Sequence, residues 1–344
     1  MADSQKKSVL IIGGGAVGAI AALNLEVGGL ATVTLVLRSN YNAVGTNGFD
    51  INSCDHGKIQ HWKPSVVRNT IPNLTQESLP PYDYILLATK NIPDIPPSVI
   101  DLVSPALPAS NTHTTVILLQ NGLHIYKPFL TSHHRTPVLS GISMIGSEEI
   151  APGVIIQDDH DRLLIGAFPN SNISASDAAS AAQTFVDMYS KGGKTNCKVS
   201  ENVLHDRWRK LVYNACLNPI CAILGLDTGR LRLAGGGDVV EGLVRPAMRE
   251  IVEAARANGV VLGEEVVQGM IDADPLEKYL SPSMLADVRK GNFIEYENLL
   301  GEPLREGKSA DVSMPTIEVL YNMAKAIQWR TKEARGLVEI PAKT

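Results

Sequence analysis

A glycine-rich turn between a predicted strand and a predicted helix constrains this chain of 344 residues more than any other feature. The β-branched run Ser8–Ile12 ends at the turn, and an apolar helical pattern follows it over residues 19–25. The turn has the pattern G-x-G-x-x-G and consists of Gly13, Gly14, Gly15, Ala16, Val17 and Gly18. In such a turn the glycines allow a tight bend, close approach of a pyrophosphate and close helix-sheet packing. The sequence therefore predicts that these six residues bind a dinucleotide at a helix N-terminus.

Two other interpretations of this segment are weaker. A membrane helix over Val9–Leu25 would be shorter than the roughly 20 residues that a span needs, and glycines interrupt it. A glycine-rich turn without a ligand is the second alternative. The flanking strand and helix favour the dinucleotide site over both.

Arg38, Lys90 and Asn121 each follow a further predicted strand. The carboxyl ends of parallel strands form the edge at which doubly wound sheets bind ligands. Arg38 stands where an NAD-binding protein usually has an acid, and a cation there suits the 2′-phosphate of NADP. Each residue also has an ordinary interpretation, since Arg38 and Lys90 can be surface cations and Asn121 with Gly122 can form a turn.

The order of predicted elements indicates two domains. Strands and helices alternate up to about residue 200, and residues 138–142, 153–157 and 162–166 are predicted to complete the same sheet with antiparallel additions. Beyond that point the patterns are helical almost throughout. We therefore predict an α/β protein with an N-terminal Rossmann-type doubly wound sheet, residues 1–200, and a C-terminal all-helical domain, residues 201–344. The first domain would bind NADP, and the second would carry the substrate and catalytic residues.

A line of polar residues marks the first helix of the second domain. Lys210, Asn214 and Asn218 recur at every fourth position among apolar residues of a helix predicted over residues 202–222. Because that spacing drifts by only about 40° per step, the three side chains would face one cleft. Ser283 and Glu295 are further candidates, although each can also be an ordinary residue in the first turn of a helix.

Composition narrows the function classes. The net charge is −5 and no long basic run occurs, which argues against a nucleic-acid partner. Hydrophobic residues make up 44% and charged residues 19%, as in a globular protein that needs no membrane. The four cysteines lack zinc-ligand spacing, so no metal site is predicted, and without a visible targeting signal the expected location is cytoplasmic. The sequence is compatible with a homodimer but does not require one.

These motifs together resemble the ketopantoate reductase (2-dehydropantoate 2-reductase) family. The resemblance extends from Val9 to about Ile327. The motifs that carry it are Gly13 to Gly18, Arg38, Lys90, Gln120 to Gly122, the Trp208 to Pro219 segment, and Ser283 to Asp287 followed by Glu295. Their order and spacing are more specific than any one motif.

The resemblance implies reduction of a 2-oxo acid to a 2-hydroxy acid by NADPH, as in pantothenate biosynthesis. It implies that Lys210 protonates the alkoxide as hydride arrives and that Glu295, near the cofactor, orients the reacting groups. It further implies substrate binding by Asn214, Asn218 and Ser283, and contacts to both cofactor and substrate by Asn121. The implied cofactor-binding residues are the glycine loop, Arg38, Lys90, Asn121, Ser147 and Glu295.

The chain also departs from the family pattern. Thr228 and Leu280 stand where the family often has asparagines near the substrate, and residues 294–298 differ from the usual Thr-Glu-Ile-Asp-Tyr segment. A site that lacks partners for a polar substrate group commonly prefers a less polar analogue. The leading substrate is 2-dehydropantoate, with another branched 2-oxo acid or ketone, such as 2-oxoisovalerate, as the alternative. A non-catalytic NADP-binding sensor is the alternative from another class.

Overall fold

A computed structural model describes residues 6–108 and 114–341. The chain forms two compact units. The first unit comprises Met1–Thr89, Pro97–Gln120 and Ile125–Val203, and the second comprises Lys90–Pro96, Asn121–His124 and Leu204–Thr344. Residues 1–5 and 342–344, at the outer ends of the two predicted domains, lie outside the described residues.

The strands all belong to the first unit. They are β1 (Lys7–Ile12), β2 (Ala31–Val36), β3 (Phe49–Ser53), β4 (Gly57–Trp62), β5 (Val66–Arg68), β6 (Tyr84–Leu87), β7 (Thr115–Leu118), β8 (Val138–Ser143), β9 (Gly146–Ala151), β10 (Val154–Asp159), β11 (Arg162–Ala167) and β12 (Asn196–Val199). Its helices are α1 (Ala16–Val27), α2 (Tyr41–Asn47), α3 (Val99–Val103), α4 (Lys127–Ser132) and α5 (Ala175–Ser190), with a 3₁₀ turn at Ser104–Ala106.

The main sheet has eight strands in the order β12-β11-β8-β7-β6-β1-β2-β5. Neighbouring strands are parallel except β8 and β11, which are antiparallel. Side chains of β1 alternate between two cores: Val9 and Ile11 pack with α1 and α5 on one face, and Leu10 and Ile12 pack on the other. Burial on both faces explains the nearly continuous apolar sequence of these strands. The predicted Rossmann-type doubly wound sheet is confirmed.

A second sheet in the first unit was not predicted. Its order is β4-β3-β10-β9, and β10 pairs in parallel with β3 and antiparallel with β9. The prediction that residues 153–157 belong to the main sheet is therefore wrong, whereas β8 and β11 lie in the main sheet as predicted. The partner of β10 lies about a hundred residues earlier in the chain, and a local sequence pattern carries no information on such pairing.

The second unit is helical over its described residues. Its α-helices are α6 (Val203–Asn214, which starts at the last residue of the first unit), α7 (Leu217–Leu224), α8 (Thr228–Leu233), α9 (Arg245–Ala257), α10 (Val266–Ile271), α11 (Ser283–Arg289), α12 (Glu302–Ser309) and α13 (Pro315–Ala334). Short 3₁₀ segments occur at Ala234–Gly237 and Leu276–Lys278. The predicted all-helical C-terminal domain is confirmed.

Two π-helical segments, Val240–Val244 and Glu297–Gly301, each lead into an α-helix with proline in its first turn. The prolines are Pro246 and Pro303. Proline offers no N–H and its ring collides with the carbonyl four residues earlier, so a locally widened helix accommodates it. The second of these segments begins two residues after Glu295.

The helix predicted over residues 202–222 is in fact two helices. α6 ends at Asn214 and α7 begins at Leu217, and the N–H of Cys216 bonds to the carbonyl of Tyr213 at 3.1 Å in the tighter geometry of a helix end. Pro219 explains the break, because it cannot donate to the carbonyl of Ala215. Asn218 therefore does not continue the helical line of Lys210 and Asn214.

The boundary between the units differs from a single division at residue 200. Two short loops from the N-terminal half, Lys90–Pro96 and Asn121–His124, belong to the second unit. They follow β6 and β7 in the chain. Hydrogen bonds join Asn121–His124 to α6 and to the Glu297–Gly301 segment, and others join Lys90–Pro96 to Asp287 and Glu295. Among the described residues, no single helix is both long enough and apolar enough to span a membrane. One pair of helices, Val203–Leu224 and Thr228–Gly237, meets the length and composition criteria when the two are taken together, but the pair is bent by 88°.

Candidate active site

The glycine loop joins β1 to α1. Gly13 has φ +108°, and a Cβ there would lie 2.7 Å from the backbone nitrogen of Thr89. A Cβ on Gly18 would lie 1.9 Å from the carbonyl oxygen of Gly13, and one on Gly14 would meet a methyl group of Leu37. The fold itself thus requires glycine at positions 13 and 18.

Gly15 differs from the other glycines of the loop. It is the N-cap residue of α1, which has no side-chain cap and no acidic residue in its first turn. A Cβ at Gly15 would meet no described protein atom within 4 Å. Protein packing therefore does not require glycine here, whereas an anion lying against the helix N-terminus would. Ala16 and Val17 form the first turn of that helix.

Arg38 and Asn40 follow β2 and have different roles. Arg38 is exposed and makes no side-chain hydrogen bond or ion pair among the described residues, so its guanidinium is available to a ligand. Asn40 is buried and donates from Nδ2 to the carbonyl of Gly14 at 2.8 Å and to Oε1 of Glu149 at 2.7 Å. Asn40 therefore fixes the glycine loop to the second sheet.

Ser147 lies on β9, two residues before Glu149 and hence on the same face of the strand. Its Oγ is buried without a hydrogen-bond partner in the described structure. A buried hydroxyl without a partner is unfavourable, and a bound ligand group would satisfy it. The open space at Gly15, the unpaired Arg38 and this hydroxyl together fit a phosphate-bearing dinucleotide.

Lys210 and Asn121 form the first contact of a polar cluster in the second unit. Lys210, on α6, donates from Nζ to Oδ1 of Asn121 at 2.8 Å. Burial and the nearby Arg207 lower the pKa of Lys210 and Glu295 raises it, leaving a pKa of about 7. Near neutral pH the Lys210 side chain is therefore present both as the ammonium and as the neutral amine.

Glu295 is the central acid of the cluster and is only 5% exposed. Its Oε1 accepts the N–H of Asn91 at 2.9 Å. Burial and, to a smaller extent, the negative charge of Asp287 raise the pKa of Glu295. The charge of Lys90 and the hydrogen bonds from the Asn91 N–H and the Asn121 amide lower it. The net pKa lies above the usual value for glutamate. Asn121 stands between this acid and Lys210.

Lys90 is held by two carboxylates. Its Nζ donates to Oδ2 of Asp287 and lies 3.9 Å from Oε2 of Glu295. Burial lowers the pKa of Lys90, but Glu295 and Asp287 outweigh this and the net pKa is raised. The charge of Lys90 is thus engaged within the second unit, and its predicted contact with the cofactor stays a prediction.

The backbone of the Asn121–His124 loop is clamped to the π-helical segment. The N–H of Leu123 donates to the carbonyl of Asn298, and Nδ2 of Asn298 donates to the carbonyl of Leu123, each at 2.9 Å. Arg207 donates from Nη1 to the carbonyl of Gly122 at 3.1 Å. These three bonds fix the position of the Asn121 side chain.

The remaining predicted substrate residues lie on α6, α7 and α11. Asn214 ends α6, and Asn218 on α7 is 2% exposed. Nδ2 of Asn218 lies 3.5 Å from Oγ of Ser283, the exposed first residue of α11. The hydrogen bonds thus join Asn218 to Ser283 and Lys210 to Asn121, in two separate pairs.

Sequence reasoning assigned no site role to several residues that shape these contacts: Asn40, Asn91, Arg207, Asp287 and Asn298. Asp287 carried one signal, its position one helical turn after Ser283. Asn91 acts through its backbone, and Asn298 pairs with a loop far away in sequence. For these two residues the sequence contains no local signal.

Two further clusters combine histidine with acidic side chains. They are Cys54 with Asp55 and His160, and His124 with Glu302 and Glu306. In each, an imidazole nitrogen is hydrogen-bonded to a carboxylate oxygen, at 2.5 Å between His160 and Asp55 and at 2.6 Å between His124 and Glu306. Histidine–carboxylate pairing accounts for both clusters.

Comparison with protein-family models decides which family the chain resembles. Residues 9–170 match the model described as "Ketopantoate reductase PanE/ApbA", and residues 202–328 match "Ketopantoate reductase PanE/ApbA C terminal". The chain belongs to the ketopantoate reductase family. The C-terminal match begins at residue 202, close to the boundary between Val203 and Leu204.

Individual ketopantoate reductase relatives match over nearly the whole chain. A protein of Saccharomyces cerevisiae described as uncharacterized is 36% identical over 354 residues, covering 98% of each chain. The crystal structure of 2-dehydropantoate 2-reductase from Methylococcus capsulatus has 29% identity and a TM-score of 0.77, covering 94% of this chain and 97% of that one. A ternary structure of D-mandelate dehydrogenase with NADH and anilino(oxo)acetate has 20% identity and a TM-score of 0.78, over 94% and 99% of the two chains, which is a likeness of fold.

Ketopantoate reductases and their relatives are oxidoreductases that use a nicotinamide cofactor and a small 2-oxo acid. Membership of the family therefore supports a 2-oxo acid reductase with a nicotinamide cofactor. The polar cluster around Lys210 and the glycine loop are the parts of this chain that such an activity would use.

Proposed function

We propose that this protein is an NADPH-dependent 2-oxo acid reductase in which Lys210 is the proton donor, and that 2-dehydropantoate is its leading substrate. One observation carries the proposal. The Lys210 ammonium has a pKa of about 7 and is oriented by Oδ1 of Asn121. A general acid works best when its pKa lies close to the working pH.

The reaction requires a cation that can give up a proton. Hydride addition to the keto carbon produces an alkoxide, which a nearby ammonium stabilises and then protonates. A solvated lysine with an ordinary pKa near 10.4 would release its proton too reluctantly for an efficient cycle. Burial and the positive charge of Arg207 remove that obstacle for Lys210.

Glu295 has the opposite effect on the same proton. Its carboxylate raises the pKa of Lys210 and so prevents premature loss of the proton. Since Asn121 faces both groups, we assign it the role of fixing their distance and of contacting both substrate and cofactor. Glu295 keeps its predicted role of orienting the reacting groups.

The substrate would be held through the side-chain amides of Asn214 and Asn218 and the hydroxyl of Ser283. The pairing of Asn218 with Ser283 supports a shared role for these two. Asn218 is nearly fully buried and its Nδ2 lies 3.5 Å from Oγ of Ser283, a long hydrogen bond, so a carboxylate or hydroxyl group of the substrate would be a closer partner for this amide.

The first unit would bind the cofactor. When bound, NADPH supplies the hydride. The glycine loop would receive the pyrophosphate, Arg38 the 2′-phosphate and Ser147 a polar group of the cofactor. We accordingly propose that residues 1–200 bind NADP and that residues 201–344 bind the substrate and carry out catalysis, as predicted. The two loops that carry Lys90 and Asn121 are the exception, because they belong to the second unit.

A second substrate class is favoured by one observation at Thr228. Its side chain replaces an asparagine frequent in the family and is only 1% exposed. The loss of an amide suits a branched 2-oxo acid that lacks the hydroxyl of 2-dehydropantoate, such as 2-oxoisovalerate. The related fold of D-mandelate dehydrogenase, bound to anilino(oxo)acetate, supports some breadth in the side chain of the oxo acid.

The decisive experiment measures NADPH oxidation with a panel of 2-oxo acids and compares kcat/KM. The proposal expects turnover of branched 2-oxo acids, with 2-dehydropantoate the best. A large preference for 2-oxoisovalerate would replace the leading substrate by the second. Tight NADPH binding with no turnover of any oxo acid would favour the non-catalytic NADP sensor.

A further inference from the structure

We propose that Arg207 is a positioning residue of this enzyme: it fixes the Asn121–Gly122 backbone and holds a second positive charge beside the Lys210 ammonium, which readies that ammonium to release its proton. The inference rests on the proposed function of Lys210. It adds a residue to which neither the sequence motifs nor the family resemblance assigned a role.

Helical spacing brings Arg207 and Lys210 to one face of α6. They are three residues apart, so their side chains lie on neighbouring turns of the same face. Arg209, between them, points elsewhere and is exposed, whereas Arg207 is only 5% exposed. Burial strengthens the repulsion between two neighbouring cations, because little water screens their charges.

Both cations bind the same two-residue loop. Nη1 of Arg207 donates to the carbonyl of Gly122 at 3.1 Å, and Nζ of Lys210 donates to Oδ1 of Asn121 at 2.8 Å. Because the two acceptors belong to adjacent residues, the geometry keeps the guanidinium close to the ammonium. Arg207 thereby helps to fix the position of Asn121 and places its own positive charge near Lys210.

Two charges of opposite sign act on Lys210. From its own helix Arg207 contributes a positive charge, and from the segment before the π-helix Glu295 contributes a negative one. Lys90 and Asp287 act further away through Glu295. Burial lowers the pKa of Arg207 to about 9, so the guanidinium is still charged at neutral pH. Repulsion between like charges disfavours the protonated form of Lys210.

The test measures the protonation of Lys210 directly, without depending on turnover. The full-length protein is treated with an amine-acylating reagent at a series of pH values, and the extent of modification of Lys210 is determined by peptide mass spectrometry. Only the neutral amine reacts, so the half-maximal pH reports the pKa of Lys210. In the unaltered protein we expect a half-point near 7, and a half-point near that of a solvated lysine would overturn the proposal whatever the variants do.

Three variants separate charge from position. Arg207→Gln keeps a donor for the Gly122 carbonyl but removes the charge, and should raise the half-point by about one pH unit. From a half-point near 7, that makes modification at pH 7 about fivefold slower. Arg207→Lys keeps the charge and should leave the half-point close to that of the unaltered protein. Arg209→Gln, on the exposed face of the same helix, should change nothing.

The pH profile of NADPH-dependent reduction gives a second reading on the same variants. If Arg207 acts as proposed, the pH at which kcat falls to half its maximum is higher in Arg207→Gln than in the unaltered protein, and it shifts by the same amount as the acylation half-point. If Lys210 has the same acylation half-point in Arg207→Gln as in the unaltered protein, the inference is refuted even when turnover falls. If the half-point moves but no oxo acid is reduced, the inference stands and the proposed function fails.

Discussion

Gly122 lies against Asn298 so closely that a Cβ on Gly122 would be 2.5 Å from the Cβ of Asn298, and Gly122 has φ +101°. Two backbone-directed hydrogen bonds join the neighbouring Leu123 to Asn298. Glycine at position 122 is thus a condition for the placement of Asn121, and through Asn121 for the contact with Lys210.

Substitution Gly122→Ala should displace this loop. The left-handed backbone and the collision with Asn298 would each cost about 1–3 kcal/mol, and a loop that moves instead would weaken the contact between Asn121 and Lys210. We expect turnover to fall and, because Asn121 is proposed to contact the cofactor as well, NADPH to bind more weakly. Gly269→Ala is the matched control, because it lies within α10 and an added Cβ would meet no described atom within 4 Å. Equal turnover in both variants would show that the loop has no part in the reaction.

Lys210→Ala should abolish proton donation while leaving the cofactor site intact. We expect kcat to fall by about 10²–10⁴-fold, the range for loss of a general acid, with an unchanged Kd for NADPH. Stopped-flow and steady-state assays of NADPH oxidation measure the first, and fluorescence titration the second. Arg209→Ala serves as the control on the same helix. Retention of full turnover would remove Lys210 from the mechanism.

The reduction should be pH-dependent near neutrality. A lysine that donates a proton must be protonated, so kcat/KM for reduction should be highest below the pKa of about 7 and decline as the pH rises through it. Glu295→Gln removes the negative charge that raises this pKa, and the decline should then begin at a lower pH. Glu297→Gln, two residues along the chain at a residue that pairs with Arg305, should leave the profile unchanged. A profile that is flat between pH 6 and 9 in the unaltered protein would exclude Lys210 as the titrating group.

Arg38→Ala should weaken binding of NADPH much more than binding of NADH. Loss of a charge-assisted contact with the 2′-phosphate should raise the Kd for NADPH by roughly 10- to 100-fold. Lys58→Ala, an exposed cation on β4, should affect neither nucleotide. The measurement is a titration of both cofactors against each variant, and an equal loss for NADH and NADPH would argue against a contact between Arg38 and the 2′-phosphate.

Asp287→Asn should disturb the cluster through Lys90. One of the two carboxylates that hold Lys90 would lose its charge, so Lys90 would depend on Glu295 alone and its pKa would fall. The stronger pairing with Glu295 should lower the pKa of that acid and alter the pH profile of turnover. Asp272→Asn, an exposed acid that pairs with Arg232, is the control. Identical pH profiles for Asp287→Asn and the unaltered protein would show that Lys90 and Asp287 are coupled only structurally.

The sequence could predict the parts of the fold that local patterns determine. The strand-turn-helix around Gly13, the two-domain order and most helices of the second unit follow from apolar periodicity and glycine position. The second sheet could not be predicted, since β3 pairs with β10, a strand about a hundred residues later in the chain, and local patterns do not report such pairing. The break before Asn218 was missed although Pro219 signals it, because the regular spacing of polar residues suggested a single helix.

The candidate site shows a similar division. Lys210, Asn121, Glu295 and Lys90 were named from the sequence, and the structure brings all four into one cluster. Their partners were harder to predict. The hydrogen bond between Lys90 and Asp287 spans 197 residues, and only tertiary structure brings the two together.

The assignment of the loops Lys90–Pro96 and Asn121–His124 to the second unit has an evolutionary consequence. Every residue of the proposed proton-handling cluster belongs to that unit, whereas the glycine loop, Arg38 and Ser147 belong to the first. Under the proposed role of Arg38, mutations that exchange one nicotinamide dinucleotide for another can accumulate around this residue while the acid-base chemistry stays constant. Such a separation allows the cofactor preference to change during evolution without any change in the residues proposed to donate the proton.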